Sequence, residues 1–413
     1  MGECGEDARH TRTLMLLGGS RHQLCAIEAA KRVGYRTVLC DYLSDNPGRH
    51  MADVFYLEST TDRQRMLQIA RHERIGGIIS FGSDAANPSA AYVAERLGLP
   101  TNPLAAVEIL SDKGLMRPYL KTHGFFCPRS ASFPADLPGT SLLDICEGMA
   151  FPVVVKPTDS SGSKGVSVVV APDVGDLDDA LASARRFSRN GVLCVEELIR
   201  YGYPRLIGGD IFVQGGEVCF WGLMDCLRDD RLGGLVPVGK AYPTALDQGQ
   251  MGVVRSELRR LVSSLGLRFG EMNVEVILAP GDVPYILELG ARAGGNMIPV
   301  QLEDISGIDL AEASVRAAMG DKPTDVSFDG NDECVATSVL HACRSGSFMG
   351  VECEPELRGH IYREMIYVRR GDRVERLENG SQAIGVIFLR FDTPGQMREL
   401  MSCVGDLVKV IVA

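Results

Sequence analysis

The stretch Val153–Val170, VVVKPTDSSGSKGVSVVV, sets two β-branched apolar runs on either side of a loop of Ser, Gly and Lys. β-branched residues favour the pleated, half-buried backbone of a strand, so the stretch reads as two strands joined by a flexible tip. Glycine lets a backbone come close to an anion with its N–H groups turned inward, and Lys156 and Lys164 add positive charge. The loop is no P-loop, because that motif runs from G-x-x-x-x-G-K-[ST] into a helix. Here Gly165 leads instead into another apolar strand. The expectation is a hairpin that holds something anionic.

The 413 residues suffice for roughly two to four domains. With 45% hydrophobic and 23% charged residues they can build real cores. A formal net charge of −11 and the lack of a long Lys/Arg cluster argue against a nucleic-acid-binding surface. No apolar run approaches the roughly 18 residues of a membrane span, so no membrane partner is expected. The opening MGECGEDARH is polar and acidic, unlike a secretory signal. Glu6 also stands where a myristoylation site needs Ser or Thr. The twelve cysteines form no C-x-x-C pair and read as reduced, mostly buried thiols of a cytoplasmic protein.

N-terminal to the loop, apolar runs alternate with helical patterns. TLMLL (13–17), RTVLCDY (36–42), VFYL (54–57) and GGIISF (76–81) read as strands. LCAIEAAKRV (24–33) and segments near 62–72 and 86–97 read as helices. Such alternation implies a parallel sheet with helices on its faces. GGSRHQ after the first strand lacks the full G-x-G-x-x-G, so a dinucleotide site has little support, and Asp41 reads as a turn or cap residue. Ser111 can cap a helix starting at Asp112, with Pro118 complicating its interior. From about 206 the pattern is β-rich, with a hairpin turning at Gly215-Gly216 and a helix near 254–265.

Two carboxylates stand out. VEVIL and YILEL are strands separated by APGDVP, and a two-residue turn at Gly281-Asp282 pairs Leu278 with Tyr285 and Glu275 with Glu288. Directly opposed residues have Cβ atoms about 4.5–5.5 Å apart, and like charges there repel. A raised carboxyl pKa, a nearby Arg or a divalent cation with oxygen ligands could offset the repulsion. The same register sets Glu271 opposite Arg292, a salt bridge that would give that arginine a structural role.

Taken in order, these elements resemble the ATP-grasp superfamily over roughly residues 10–330. The matching pieces are Lys113 in SDKGLMR, Lys156 in VVVKP, the loop SSGSKGV, the strand VLCVEELI and the glutamates Glu275 and Glu288. The resemblance implies an α/β and α+β protein: an N-terminal parallel α/β domain (1–124), a small central lid (125–205) and a C-terminal mixed-sheet catalytic domain (206–413), with a closing subdomain from about 335. It implies that Lys113, Lys156, Ser161, Gly162 and Ser163 hold ATP phosphates, Lys164 being either a ligand or a solvated loop charge. Glu196, Glu197 and Ile199 match the adenine-binding stretch, either glutamate being alternatively surface charge. Asp210 stands near the usual ribose ligand, after the longer insertion RYGYPRLIG. Glu275 and Glu288 match the Mg²⁺ ligands, with Mn²⁺ as an alternative ion. The common Glu-x-Asn is here Glu288-Leu289-Gly290, so Asn296 or water is expected to replace the missing ligand.

ELGARAGGNMIPV (288–300) is similar to the carboxylate–amine ligase branch, bacterial L-amino-acid ligases in particular. There the arginine matching Arg292 stabilises an acyl phosphate, for which a guanidinium fork is well shaped. The implied partners are a small-molecule carboxylate and an amine, with a homodimer as the assembly common among relatives. Two other readings remain: a carboxylase-like enzyme that activates bicarbonate, and a nucleotide-binding regulatory protein without turnover. Asp84, His341 and Arg344, near strand or loop ends, read as turn or surface residues or as substrate contacts.

Overall fold

The computed structural model describes residues 12–200, 205–228, 236–322 and 324–413. The N-terminal segment with Glu6, and residues 201–204 of the insertion before Asp210, lie outside the described residues.

The first sheet is parallel, in the order β3-β2-β1-β4, from β1 (Thr13–Leu17), β2 (Arg36–Asp41), β3 (Val54–Leu57) and β4 (Gly77–Ile79). All five residues of β1 are buried, as expected of a central strand covered on both faces. Helices Leu24–Val33, Arg63–Glu73 and Asn87–Leu97 supply the cover. Helix Leu310–Ala318 returns from far along the chain to join them, and Val315 packs in the same cluster as Leu14 and Ile27. That return ties the N-terminal sheet to the segment carrying Arg292.

The helix expected from Asp112 is Lys113–Thr122. Asp112 rather than Ser111 is its N-cap, accepting from the Gly114 N–H, a contact of about 1 kcal/mol. Ser111 ends the preceding helix and bonds back to the Val107 carbonyl. The helix runs through Pro118.

A second, antiparallel sheet has the order β5-β8-β6-β7, from β5 (Ser130–Pro134), β6 (Val153–Pro157), β7 (Ser167–Val169) and β8 (Val192–Glu197). The opening stretch is its β6–β7 hairpin, with Val153 paired to Val169 and Val155 to Ser167. Val153 and Val155 point into the core beneath helix Val174–Arg185, beside Leu177 and Leu181. The tip turns through positive φ at Gly162, Ser163 and Gly165.

The third sheet has eight strands, β13-β12-β9-β10-β11-β14-β18-β16. Its members are β9 (Leu206–Gln214), β10 (Glu217–Arg228), β11 (Pro237–Tyr242), β12 (Phe269–Ala279), β13 (Val283–Gly290), β14 (Val335–Leu340), β16 (Ile361–Ile366) and β18 (Gly385–Arg390). β15 (Gly346–Cys353), β17 (Arg373–Val374) and β19 (Val408–Val412) form a separate three-stranded sheet. Residues after 335 thus both widen the eight-stranded sheet and build a new one. Gly215 and Gly216 make the β9–β10 turn, both at positive φ, as a two-residue turn of that kind requires.

The β12–β13 loop has three residues, Pro280–Asp282, rather than two. It pairs Leu278 with Pro284 instead of Tyr285. A bulge then adds one residue, Leu287, on β13, and Glu275 comes to lie opposite Glu288.

Candidate active site

A cleft of about 170 Å³ opens between the β6–β7 hairpin and the β12–β13 ribbon. Leu206, Ile277 and Leu287 give it an apolar floor. Lys113, Lys156, Glu275 and Glu288 line it, as do Ser161, Gly162 and Ser163 of the hairpin tip and Glu196, Glu197 and Ile199 at the end of β8. The sheets therefore bring ten of the thirteen expected site residues to one cavity. Asp210, Arg292 and Asn296 are not among its lining residues.

Lys113 stands at the first turn of its helix. Its Nζ donates to the Ser160 carbonyl (2.9 Å) and to Glu288 Oε1 (3.2 Å), so one cation spans the hairpin and the ribbon. Burial would raise the Glu288 carboxyl, but the charges of Lys113 and then Arg292 outweigh it and hold the group below its ordinary value. Glu275 is paired with Arg228, whose Nη2 lies 3.2 and 3.4 Å from its two oxygens. The opposed carboxylates are thus each paired with a cation.

Glu196 is 2% exposed and saturated by two cations. Arg117 donates Nε–H to Oε1 at 2.8 Å, and Lys156 Nζ lies 2.6 Å from Oε2. Burial pushes this carboxyl up, yet Arg117 and Lys156 outweigh it and hold it down at about 2. Here the Glu196 side chain anchors Lys156, and its backbone is paired in the sheet between Ser130 and Val154. Glu197 turns its carboxylate to the Ala150 N–H (2.8 Å). Arg117, which also donates to the Leu287 carbonyl (2.9 Å), escaped the sequence reading. The signal was present: Lys113 and Arg117 are four apart on one helix and share a face. The tail was missed too, for the Gly380 N–H donates to the Gly162 carbonyl (2.9 Å) and fastens the hairpin tip.

Arg292 pairs with Asp84, not with Glu271. The fork donates Nε–H to Oδ1 at 2.7 Å and Nη2–H to Oδ2 at 2.5 Å. Both side chains are nearly buried, and Asp84 with Glu288 raises the guanidinium pKa despite burial. This explains Gly290. A Cβ there would lie 2.9 Å from Asp84 Oδ1 and 3.2 Å from Arg292 Cζ, so the space an Asn would take is filled by the ion pair. Glu271 instead pairs in register with Phe212 on β9. Burial, then the neighbouring Asp210 charge, pushes its carboxyl well up.

Asp210 departs from its expected ribose role. It is fully buried and accepts from the Gly294 N–H and from Asn273 Nδ2, both at 2.8 Å. It thereby holds the turn after β13. Asn296 sits on that turn with φ 49°. Among the described residues no group of three or more His, Cys, Asp or Glu side chains could hold a metal. Two opposed carboxylates nevertheless suit Mg²⁺, which is commonly bound by one or two carboxylates plus substrate phosphates and water. His341 and Arg344 lie away from this cleft; His341 lines another cavity, between β14 and the three-stranded sheet.

A family model described as carbamoyl-phosphate synthase L chain, ATP binding domain, matches residues 112–325. The chain belongs to this ATP-grasp family. The ATP-grasp chain is 24% identical over 312 residues to a carbamoyl phosphate synthase large chain of Kineococcus radiotolerans, covering 73% of itself and 27% of that protein. It therefore spans about a quarter of the length of that relative. Its fold matches an L-amino acid ligase from Bacillus licheniformis with a TM-score of 0.77 at 20% identity, over 98% of this chain and 99% of the other. It also matches the biotin carboxylase domain of a Hydrogenobacter thermophilus 2-oxoglutarate carboxylase, solved with MgADP and bicarbonate (TM-score 0.73, 16% identity, 97% and 91% covered). Among the described residues no helix is long and apolar enough to cross a membrane.

Proposed function

We propose that this protein is an ATP-dependent carboxylate–amine ligase working through an acyl phosphate. One observation carries the reading: Glu275 and Glu288 face each other beneath a Ser/Gly hairpin, in a cleft that Lys113 and Lys156 also line, with Lys113 spanning hairpin and ribbon. ATP would lie with its adenine on Leu206, Ile277 and Leu287 and its edge against the β8 backbone near Glu197 and Ile199. Lys113 and Lys156 neutralise the phosphates as point charges, while the N–H groups of Ser161–Ser163 cover them. Glu275 and Glu288 would hold Mg²⁺, exchanging Arg228 and Lys113 for it; the ion supplies charge neutralisation at the β- and γ-phosphates.

A carboxylate oxygen of the first substrate attacks the γ-phosphorus and ADP leaves. Arg292, oriented by Asp84, steadies the acyl phosphate. The second substrate's amine then attacks the acyl carbon, forming an amide and releasing phosphate. The 125–205 unit acts as a lid that keeps water from the intermediate.

The test is a phosphate-release screen with Mg-ATP over pairs of carboxylates and amines, amino acids included. Amide product formed in step with phosphate supports the ligase. Phosphate release driven by bicarbonate alone would favour the carboxylase-like reading, to which the bicarbonate-bound structural neighbour lends weight. Nucleotide binding without turnover on any acceptor would sink both.

A further inference from the structure

Beneath the floor of the cleft a thiol and an amine are pressed together. Cys226 on β10 pairs directly with Lys240 on β11, and both residues are buried, at 5% and 6% exposure. Lys240 Nζ lies 2.6 Å from Cys226 Sγ. Ordinary N–H···O hydrogen bonds run about 2.7–3.2 Å, and sulfur is larger than oxygen, so this separation is too short for a relaxed N–H···S contact. It is the span that a single bridging oxygen would set between nitrogen and sulfur. Gly208 on β9 makes the room: a Cβ there would lie 2.5 Å from both the sulfur and the nitrogen. Gly208 is also the register partner of Glu275, and Cys226 packs with Leu206 and Ile277 of the cleft floor. The pair thus lies across β9 from a site carboxylate and against the apolar floor of the cleft.

We propose that Cys226 and Lys240 form an oxidant-made, thiol-reversible N–O–S crosslink joining β10 to β11 beside the site. A buried thiol is ordinarily inert, and burial pushes this one up despite Lys240. What sets this thiol apart is the amine 2.6 Å away, placed to capture the oxygen that the sulfur takes up; the reacting form is the thiolate, which attacks a peroxide oxygen. The first peroxide oxidises sulfur to the sulfenic acid and is reduced to water. The second oxidises the amine: the sulfenic oxygen bonds to nitrogen, and two further waters leave. In sum one thiol, one amine and two peroxides give the bridge and three waters. Four equivalents of an external thiol reverse it, returning Cys–SH, the lysine amine and one water with two disulfides. The bridge ties Lys240 Nζ, which lies against Gly208, the register partner of Glu275, to β10 and fixes the floor, so the oxidised protein is expected to turn over ATP at least several-fold more slowly.

The full chain is treated with hydrogen peroxide, digested without reductant and analysed by mass spectrometry. The expected result is a linked peptide pair joining Cys226 to Lys240, heavier by about 14 Da through one oxygen gained and two hydrogens lost. It should vanish with dithiothreitol and be absent from Cys226→Ser and Lys240→Arg. Oxygen gained on Cys226 alone with Lys240 unchanged, a disulfide from Cys226, or no reaction would overturn the proposal. This readout needs no turnover. The activity arm rests on the proposed ligase: inhibition reversed by dithiothreitol in the native chain and absent in Cys226→Ser supports the switch. A crosslink on a protein that never turns over ATP would count against the ligase, not the bridge.

Discussion

Glu275 faces Glu288 across the β12–β13 ribbon through two departures from regular pairing that cancel. The loop is one residue longer than a tight turn, which shifts the register by one. The bulge at Leu287 shifts it back. A one-residue slip would turn Glu288 to the other face of the sheet, so the bulge decides whether the two carboxylates meet. Bulges commonly re-aim a side chain next to a functional site.

Glu288→Gln keeps the shape and removes the charge. Mg²⁺-dependent ATP turnover should fall by about 10²-fold or more, equivalent to several kcal/mol of transition-state charge stabilisation. The circular dichroism spectrum and Tm should change little. Turnover at the native rate would remove Glu288 from the metal site.

Lys156 and Arg117 share Glu196 but should differ in effect. Lys156→Ala should weaken ATP binding by about tenfold or more in calorimetry, with stability largely kept because Arg117 still holds Glu196. Arg117→Ala strips the more buried partner (3% exposed) and should cost about 3–5 kcal/mol in denaturant unfolding, the range for breaking a buried pair. Equal losses of stability in the two variants would contradict this division.

Acid stability should decline in two windows. Burial holds the His341 imidazole down to about 4, against an ordinary 6.5. The unfolded chain therefore takes up that proton first, and stability falls as pH drops from about 6.5 to 4. Glu196, held at about 2 against 4.5, adds a loss between those values. His341→Leu should flatten the upper window and leave the lower one, measured as unfolding free energy against pH. An unchanged upper slope would contradict the burial of a neutral imidazole.

Gly290→Asn restores the common ATP-grasp residue and should harm this chain. The new side chain meets Asp84 and Arg292, and overpacking of this kind costs about 1–3 kcal/mol. Asp84→Ala made in addition should recover part of the loss, so the two changes should be non-additive by about 0.5 kcal/mol or more. Simple additivity would mean that the ion pair is not what excludes a side chain at 290.

The sequence alone determined the element order around the site, the parallel first sheet and the β6–β7 hairpin, which rest on signals local in the chain: β-branched runs, helical periodicity and turn glycines. Most of the ten residues that share the cleft were named by the resemblance to the ATP-grasp family rather than by such signals. Even the Glu275–Glu288 pairing was legible, though by a turn one residue short and without the bulge. Only the tertiary structure decided which charges meet across distant segments. Arg292 meets Asp84, 208 residues away; Glu196 is taken by Arg117 and Lys156; Asp210 is buried under the turn it holds; Cys226 lies against Lys240. Each of these depends on helices and strands packing at fixed offsets, and a charge in sequence carries no record of which partner burial will force upon it.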